Sequence, residues 1–267
     1  MRPRLCPALL AFPAALAVWT APLTAQTRSV RLESLTWQEA AEVLTPQTIV
    51  MIPLGAASKE HGPQLKLSND FLMAEYLAKE VMARTTVVVA PTVNYSFYPA
   101  FVEYPGATSL RLETARDLVV DICRGLAHFG PRKFYVLNTG VSTIRALAPA
   151  AEQLARDGVT MRFTDILNAS REVEKQVAKQ PEGTHADEIE TSAMLYIAPQ
   201  SVDMRKAGKD FPGRGSGPLQ WRDPKAPNYS PSGIYGDATL ATREKGEKIV
   251  RAQIDFIVRE IEALRAM

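Results

Sequence analysis

Short apolar runs alternate with amphipathic helical stretches along most of this chain, and that alternation is the tightest constraint on its fold. The runs lie at 48–54, 87–90, 133–138 and 160–166. After the first of them, Leu72, Met73, Tyr76, Leu77, Val81 and Met82 recur at three- and four-residue spacing, the mark of one buried helical face. Further helices are expected over 112–128, stopped by Gly130-Pro131, and from the turn 139–143 to about Arg156, before Gly158. Strands alternating with helices imply parallel βαβ units with right-handed crossovers. The chain is therefore of the α/β class, and the carboxyl ends of the first and third strands open on one edge of the sheet.

The rest of the chain fits around that frame. Residues 26–47 are a lead-in with a short helix over 35–44, where Thr36 and Glu39 have capping-box spacing. A polar helix is expected at about 169–179, and a long one, striped by Ile249, Ile254, Ile257, Ile261 and Leu264, over 241–267. The Gly- and Pro-rich stretch 207–236 is too punctuated for a core element and reads as a lid or a subunit contact. There is no internal repeat, and residues 26–267 read as one domain.

The first 25 residues have another character. Arg2 and Arg4 precede an apolar run from Leu5 to Ala17, and Leu23-Thr24-Ala25 offers a small residue for cleavage. That order reads as a secretory signal peptide cut near Ala25, too short for a stable membrane span, with a periplasmic or secreted product. The 31 basic and 29 acidic residues balance once Arg2 and Arg4 are set aside, which argues against a nucleic-acid surface. Of two cysteines, Cys6 leaves with the signal. Cys123 alone allows no intramolecular disulfide, and its place in an amphipathic helix reads as buried filler.

Chemistry concentrates after the first strand. The apolar run breaks at Gly55 into a loop carrying Glu60, His61 and Asp70. Carboxylates and an imidazole at a strand's carboxyl end are divalent-metal ligands by type, although Asp70 would equally cap the next helix. The loop 94–106 carries four aromatic residues, Tyr95, Phe97, Tyr98 and Phe101, before Tyr104; these either line a pocket or cover the sheet edge. A second cluster, His185-Ala-Asp-Glu-Ile-Glu190, precedes a helical stretch. Thr139-Gly140 opens a helix after a strand, but without a Gly-rich loop or a following Lys it makes a poor nucleotide site.

Four separated blocks carry a resemblance to the creatininase family: Glu60-His-Gly-Pro with Asp70 nine residues past the histidine, Tyr104-Pro-Gly-Ala-Thr-Ser-Leu110, Leu137-Asn138, and His185-Ala-Asp-Glu-Ile-Glu-Thr-Ser192. The likeness spans about residues 46 to 260. It implies a three-layer α/β/α sandwich with a mostly parallel sheet, often a homo-hexamer, and a site for one or two divalent ions that hydrolyses a linear or cyclic amide C–N bond. It implies metal ligation by Glu60, His61 and Asp70, proton transfer by His185 with Glu190 beside it, and substrate contact by Asn138. The reading is a metal-dependent amidohydrolase of a small-molecule amide, with one Zn or Mn per chain and a second possible.

Two departures weigh on that implication. The family places Glu two residues before the first-loop histidine, where this chain has Lys59, so Glu60 would need a bulge to reach the site. The family's turn histidine is Gly140 here, and only His61, His128 and His185 exist in the chain. Asp187, Glu188 or Ser142 are then the possible substitutes. The competing expectation is a catalytically inactive binding or scaffold protein with a degraded metal site.

Overall fold

The structure, a computed structural model, describes residues 28–213 and 217–267. The segment read as a signal peptide, 1–25, lies outside the described residues. In chain order the elements are β1 (Val30–Arg31), α1 (Trp37–Val43), β2 (Ile49–Leu54), α2 (Asn69–Met82), β3 (Val88–Val89), α3 (Leu112–Ala127), β4 (Lys133–Asn138) and α4 (Ile144–Arg156). Then follow β5 (Thr160–Phe163), α5 (Ile166–Ala169), α6 (Arg171–Val177), α7 (Glu188–Ile197), β6 (Lys209–Asp210), β7 (Gly236–Asp237) and α8 (Arg243–Arg265).

Five strands pair in parallel in the order β1-β3-β2-β4-β5. Successive side chains alternate between faces, as a pleated strand requires. Ile49, Met51, Val89, Tyr135 and Leu137 pack under α2, α7 and α8. Val50, Ile52, Leu54, Val88, Phe134 and Val136 pack against α3 and α4. Both faces are covered, so β2 can be apolar along its whole length. The result is the three-layer α/β/α sandwich with a parallel main sheet.

Strand order reverses between β2 and β4: the chain moves from β2 outward to β3, then returns to the other side of β2. A crevice opens beyond the carboxyl ends of two neighbouring strands wherever such a reversal occurs, and doubly wound sheets place their ligands there. Leu54 and Asn138 end their strands side by side. The loop after β2 and the turn after β4 therefore start from one point.

The sequence-based boundaries differ in a few places. The expected strand to residue 166 stops at Phe163, because Asp165 caps α5 by accepting from the Leu167 N–H. The polar helix is shorter than 169–179. Residues 28–36 contribute the edge strand β1, too short to show in the pattern. The stretch 207–236 is less peripheral than its composition suggests: β6 pairs with β7, and Ile234 is fully buried in the α2–α7–α8 core. Among the described residues no helix is long and apolar enough to cross a membrane.

Helices α7 and α8 pack backbone against backbone at Gly246, where a Cβ would overlap the Ser192 carbonyl. Gly246→Ala must push the helices apart, an overpacking cost of about 1–3 kcal/mol; a thermal melt should fall by several degrees. Cys123 is buried in the opposite face, and that burial pushes its thiol up to about 12. Native protein at pH 8 should therefore resist a disulfide reagent for hours and react fully once unfolded.

Candidate functional site

Asp70 lies in the first turn of α2 with no exposure to solvent, and two cations hold its carboxylate. His61 Nε2 lies 2.8 Å from Oδ1 and Lys59 Nζ lies 2.7 Å from Oδ2. Chain geometry explains the grip. Side chains two apart on extended backbone point the same way, so Lys59 and His61 reach one carboxylate while Glu60 between them turns aside. Glu60 goes instead to His185, whose Nε2 lies 3.0 Å from its Oε2, and accepts from the Gly62 N–H. No bulge brings Glu60 onto Asp70; the structure gives it a different partner from the one the sequence suggested.

Glu190 closes the group from α7. Its Oε1 lies 3.4 Å from His61 Nε2 and accepts from Asn69 Nδ2 at 3.1 Å. Its Oε2 accepts from the Ala186 N–H at 2.6 Å and lies 3.8 Å from His185 Nδ1. Asp187 caps α7 by accepting from the Ile189 and Glu190 N–H groups, three residues before Glu190, a spacing visible in the sequence. Ala186, at φ 50, bends the chain in the left-handed region that non-glycine residues seldom adopt. That bend sets His185 against Tyr235 in a short bridge and turns it toward the centre.

His61, His185 and Glu190 have ligand atoms within 4.8 Å of one another. His61 Nδ1 lies 2.9 Å from the Lys59 carbonyl and must donate to it, which leaves Nε2 to face Asp70 and Glu190. Once its own proton is given up, Nε2 would offer a lone pair beside two carboxylate oxygens, donors of the type a divalent ion takes. Burial alone would lower the His61 pKa, and Lys59 works the same way, but Asp70 and Glu190 outweigh both and raise it. Burial likewise opposes charge on Asp70, yet Lys59 and His61 hold its carboxyl far below the usual range. For Glu60, burial is outweighed by the His185 hydrogen bond and charge together with the Gly62 N–H, and its carboxyl is lowered.

A cavity of about 310 Å³ opens over this cluster, lined by Lys59, Phe101, Thr139, Ser142, His185 and Glu190 among others. The volume suits a small molecule. The aromatic loop supplies one wall: Phe101 stacks on His185 at 4.0 Å between ring centres, while Lys59 Nζ sits 5.5 Å from the Tyr98 ring centre and 5.4 Å from that of Phe101. The turn after β4 braces the rest. Thr139 Oγ1 donates to the Leu54 and Asp70 carbonyls, and Ser142 Oγ donates to the Phe97 carbonyl.

Asn138 was expected to meet substrate, and its surroundings give it another task. Its side chain is wholly buried, donating to the Gly140 and Thr164 carbonyls and accepting from the Gly140 N–H and Thr143 Oγ1. It shapes the turn. Glu188 is spent on Lys245 and the backbone of 179–180, and His128 ends α3 far along the chain from the centre. Lys59 and Asn69 belong to the site and were not read as such; Lys59 left a sequence signal, as a departure from the family pattern, while Tyr98 lay in the aromatic loop already read as a pocket wall or an edge cover.

The arrangement defines a doubly wound α/β protein with a nitrogen-and-oxygen centre at its switch point, and similarity to known proteins agrees with that class. The profile of the family described as Creatininase: Creatinine amidohydrolase matches residues 33–261. Creatinine amidohydrolase of Pseudomonas putida is 28% identical over 253 residues, covering 86% of this chain and 95% of that protein. The 3-dehydro-scyllo-inosose hydrolase of Thermotoga maritima is 26% identical over 254 residues, covering 85% and 81%. The mycofactocin precursor peptide peptidase of Mycobacterium ulcerans is 28% identical over 223 residues, covering 79% and 84%. A solved structure of creatininase with Mn superposes with a TM-score of 0.74 at 26% identity, covering 88% of this chain and 98% of that one. The chain belongs to the creatininase family, and its relatives are hydrolases.

Removing the Asp70 charge should expose what the centre costs. Asp70→Asn strands a buried ammonium, a loss of about 3–5 kcal/mol, measurable as a lower urea midpoint in chelated protein. The sign with pH follows from the shifts. The lowered carboxyls of Asp70 and Glu60 stabilise fully above about pH 4–5 and fade as acid passes through their folded values. The raised His61 stabilises fully below about pH 6.5 and fades as pH climbs through its folded value. The metal-free wild type should therefore peak in between and fall on both sides, while Asp70→Asn should show a flatter profile.

Proposed function

We propose that this protein is a metal-dependent amidohydrolase that cleaves the C–N bond of a small linear or cyclic amide. The observation that carries it is His61 Nε2, fixed by the Nδ1 contact to the Lys59 carbonyl and aimed at Asp70 Oδ1 and Glu190 Oε1 beneath a small-molecule cavity. His61, Asp70 and Glu190 would hold one ion, Zn or Mn by donor type, and the resemblance to a Mn creatininase supports that choice. Relative to the ligand set first expected, Glu190 takes the place of Glu60. A bound divalent ion would acidify a water molecule and polarise a carbonyl.

The chain's own groups supply the rest. His185 lies at the cavity wall, and an imidazole near neutrality can pass a proton to a leaving amide nitrogen. Glu60, at Nε2, holds that ring in one tautomer and orientation. Phe101, stacked on His185, excludes water from one face of the ring. Asp187 keeps α7 in place and with it Glu190. Export through the N-terminal segment, to the periplasm or outside the cell, and assembly into a homo-oligomer complete the reading; mature-chain N-terminal sequencing and sedimentation would check both.

A screen of small cyclic and linear amides with Mn- or Zn-loaded protein should identify a substrate. On it, His185→Ala should keep its metal and lose about 10²–10⁴-fold in kcat, and Glu60→Gln should lose about 10–100-fold. Wild-type turnover in His185→Ala would remove the proton-transfer role. The second reading, a non-catalytic binding protein, draws on Gly140: this position has no side chain to offer a metal, and a Cβ there would lie 3.0 Å from the Thr143 side chain and 3.2 Å from the Tyr98 ring. A metal-free protein whose melting temperature ignores added Mn and Zn would favour it.

A further inference from the structure

The family resemblance allows one ion or two, and the structure distinguishes them through Lys59. A carboxylate that bridges two ions must offer both oxygens to metal. Asp70 offers Oδ1 toward His61, but its Oδ2 meets the Lys59 ammonium at 2.7 Å in a setting where the lysine side chain is only 7% exposed. The ammonium cannot swing away cheaply. The Tyr98 and Phe101 rings lie beyond it, both within cation–π range. A divalent ion at Oδ2 would have to share that oxygen with a fixed positive charge.

Charge balance points the same way. Three carboxylates touch the two imidazoles of the centre: Asp70, Glu190 and Glu60. One ammonium and one divalent ion neutralise them with both imidazoles uncharged. A second ion would leave surplus positive charge in a buried site, which is costly without further ligands. The turn after β4 adds none. Gly140 is blocked by Thr143 and Tyr98, and Ser142 is tied to the Phe97 carbonyl.

We propose that Lys59 is the second cation of this centre, occupying at Asp70 the place another metal would need, so that the chain binds one divalent ion and not two. The inference rests on the metal-dependent reading above and deepens it. Lys59 is a positioning residue in this account: it holds Asp70 Oδ2 so that Oδ1 alone serves the ion. It also leaves a permanent positive charge at the cavity wall, where the amide carbonyl would lie, in place of an exchangeable one.

Counting ions tests it without a substrate. Chelator-stripped full-length protein is saturated with Mn or Zn, passed through gel filtration and analysed for bound metal, with affinity from calorimetric titration. Wild type should retain about one ion per chain. Lys59→Glu should retain about two, because the ammonium is gone and a carboxylate replaces it. Lys59→Gln, which removes charge but adds no anionic ligand, should bind its ion at least tenfold tighter than wild type. Two ions on wild type, or unchanged affinity in a folded Lys59→Gln, would overturn the inference and leave the metal-dependent reading intact. No ion on wild type would overturn both.

Discussion

The buried carboxylate of Asp70 is the interaction on which the rest of this molecule depends. A lone carboxylate in such a place is untenable, since ions leave water only when paired and hydrogen-bonded. Every neighbouring element contributes to making it tenable. The loop after β2 brings Lys59 and His61, α2 carries Asp70 itself, and the turn after β4 ties down its backbone through Thr139. Gly55 lets that loop pass close over α2, for a Cβ there would overlap the Asp70 carbonyl. The switch point supplies the position, and paired charge supplies the reason for so many groups to converge.

Local strain marks the same region. Ala186 holds a positive φ while fully buried, kept there by Gln64, whose amide donates to its carbonyl at 2.7 Å. Strained backbone persists where surroundings over-determine it, commonly at functional sites. Here the bend sets the direction of His185 and offers an N–H to Glu190. Two residues far apart in sequence, Gln64 and Glu190, thus share the task of keeping one imidazole aimed.

Much of the fold was legible because the sheet is buried on both faces and its helices are strongly one-sided. Those patterns survive in one dimension. The core histidines and Asp70 were legible too, because their type and spacing are unusual. The partners of those residues were not. Glu60 meets His185 whereas Glu190 lies between both imidazoles, and that depends on the turn of the chain at 59–61 and on the bend at Ala186, neither of which has a sequence period. Asn138 shows the opposite failure: its place at a strand end suggested contact with substrate, whereas four hydrogen bonds commit it to the turn. The stretch 207–236 concealed Ile234 and Gly233, the latter packed against Glu60, inside a composition that looks like loop.

The aromatic loop that walls the cavity at Ala100 and Phe101 is stitched to a stretch more than a hundred residues further along the chain. Tyr104 Oη donates to the Ser230 carbonyl, the Leu219 N–H donates to the Ala100 carbonyl, and Trp221 Nε1 donates to the Glu103 carbonyl. Such seams make the two stretches a single slab. The placement of the Phe101 ring over His185 is therefore underwritten from outside the chamber, by residues that meet neither the imidazole nor anything the chamber would hold.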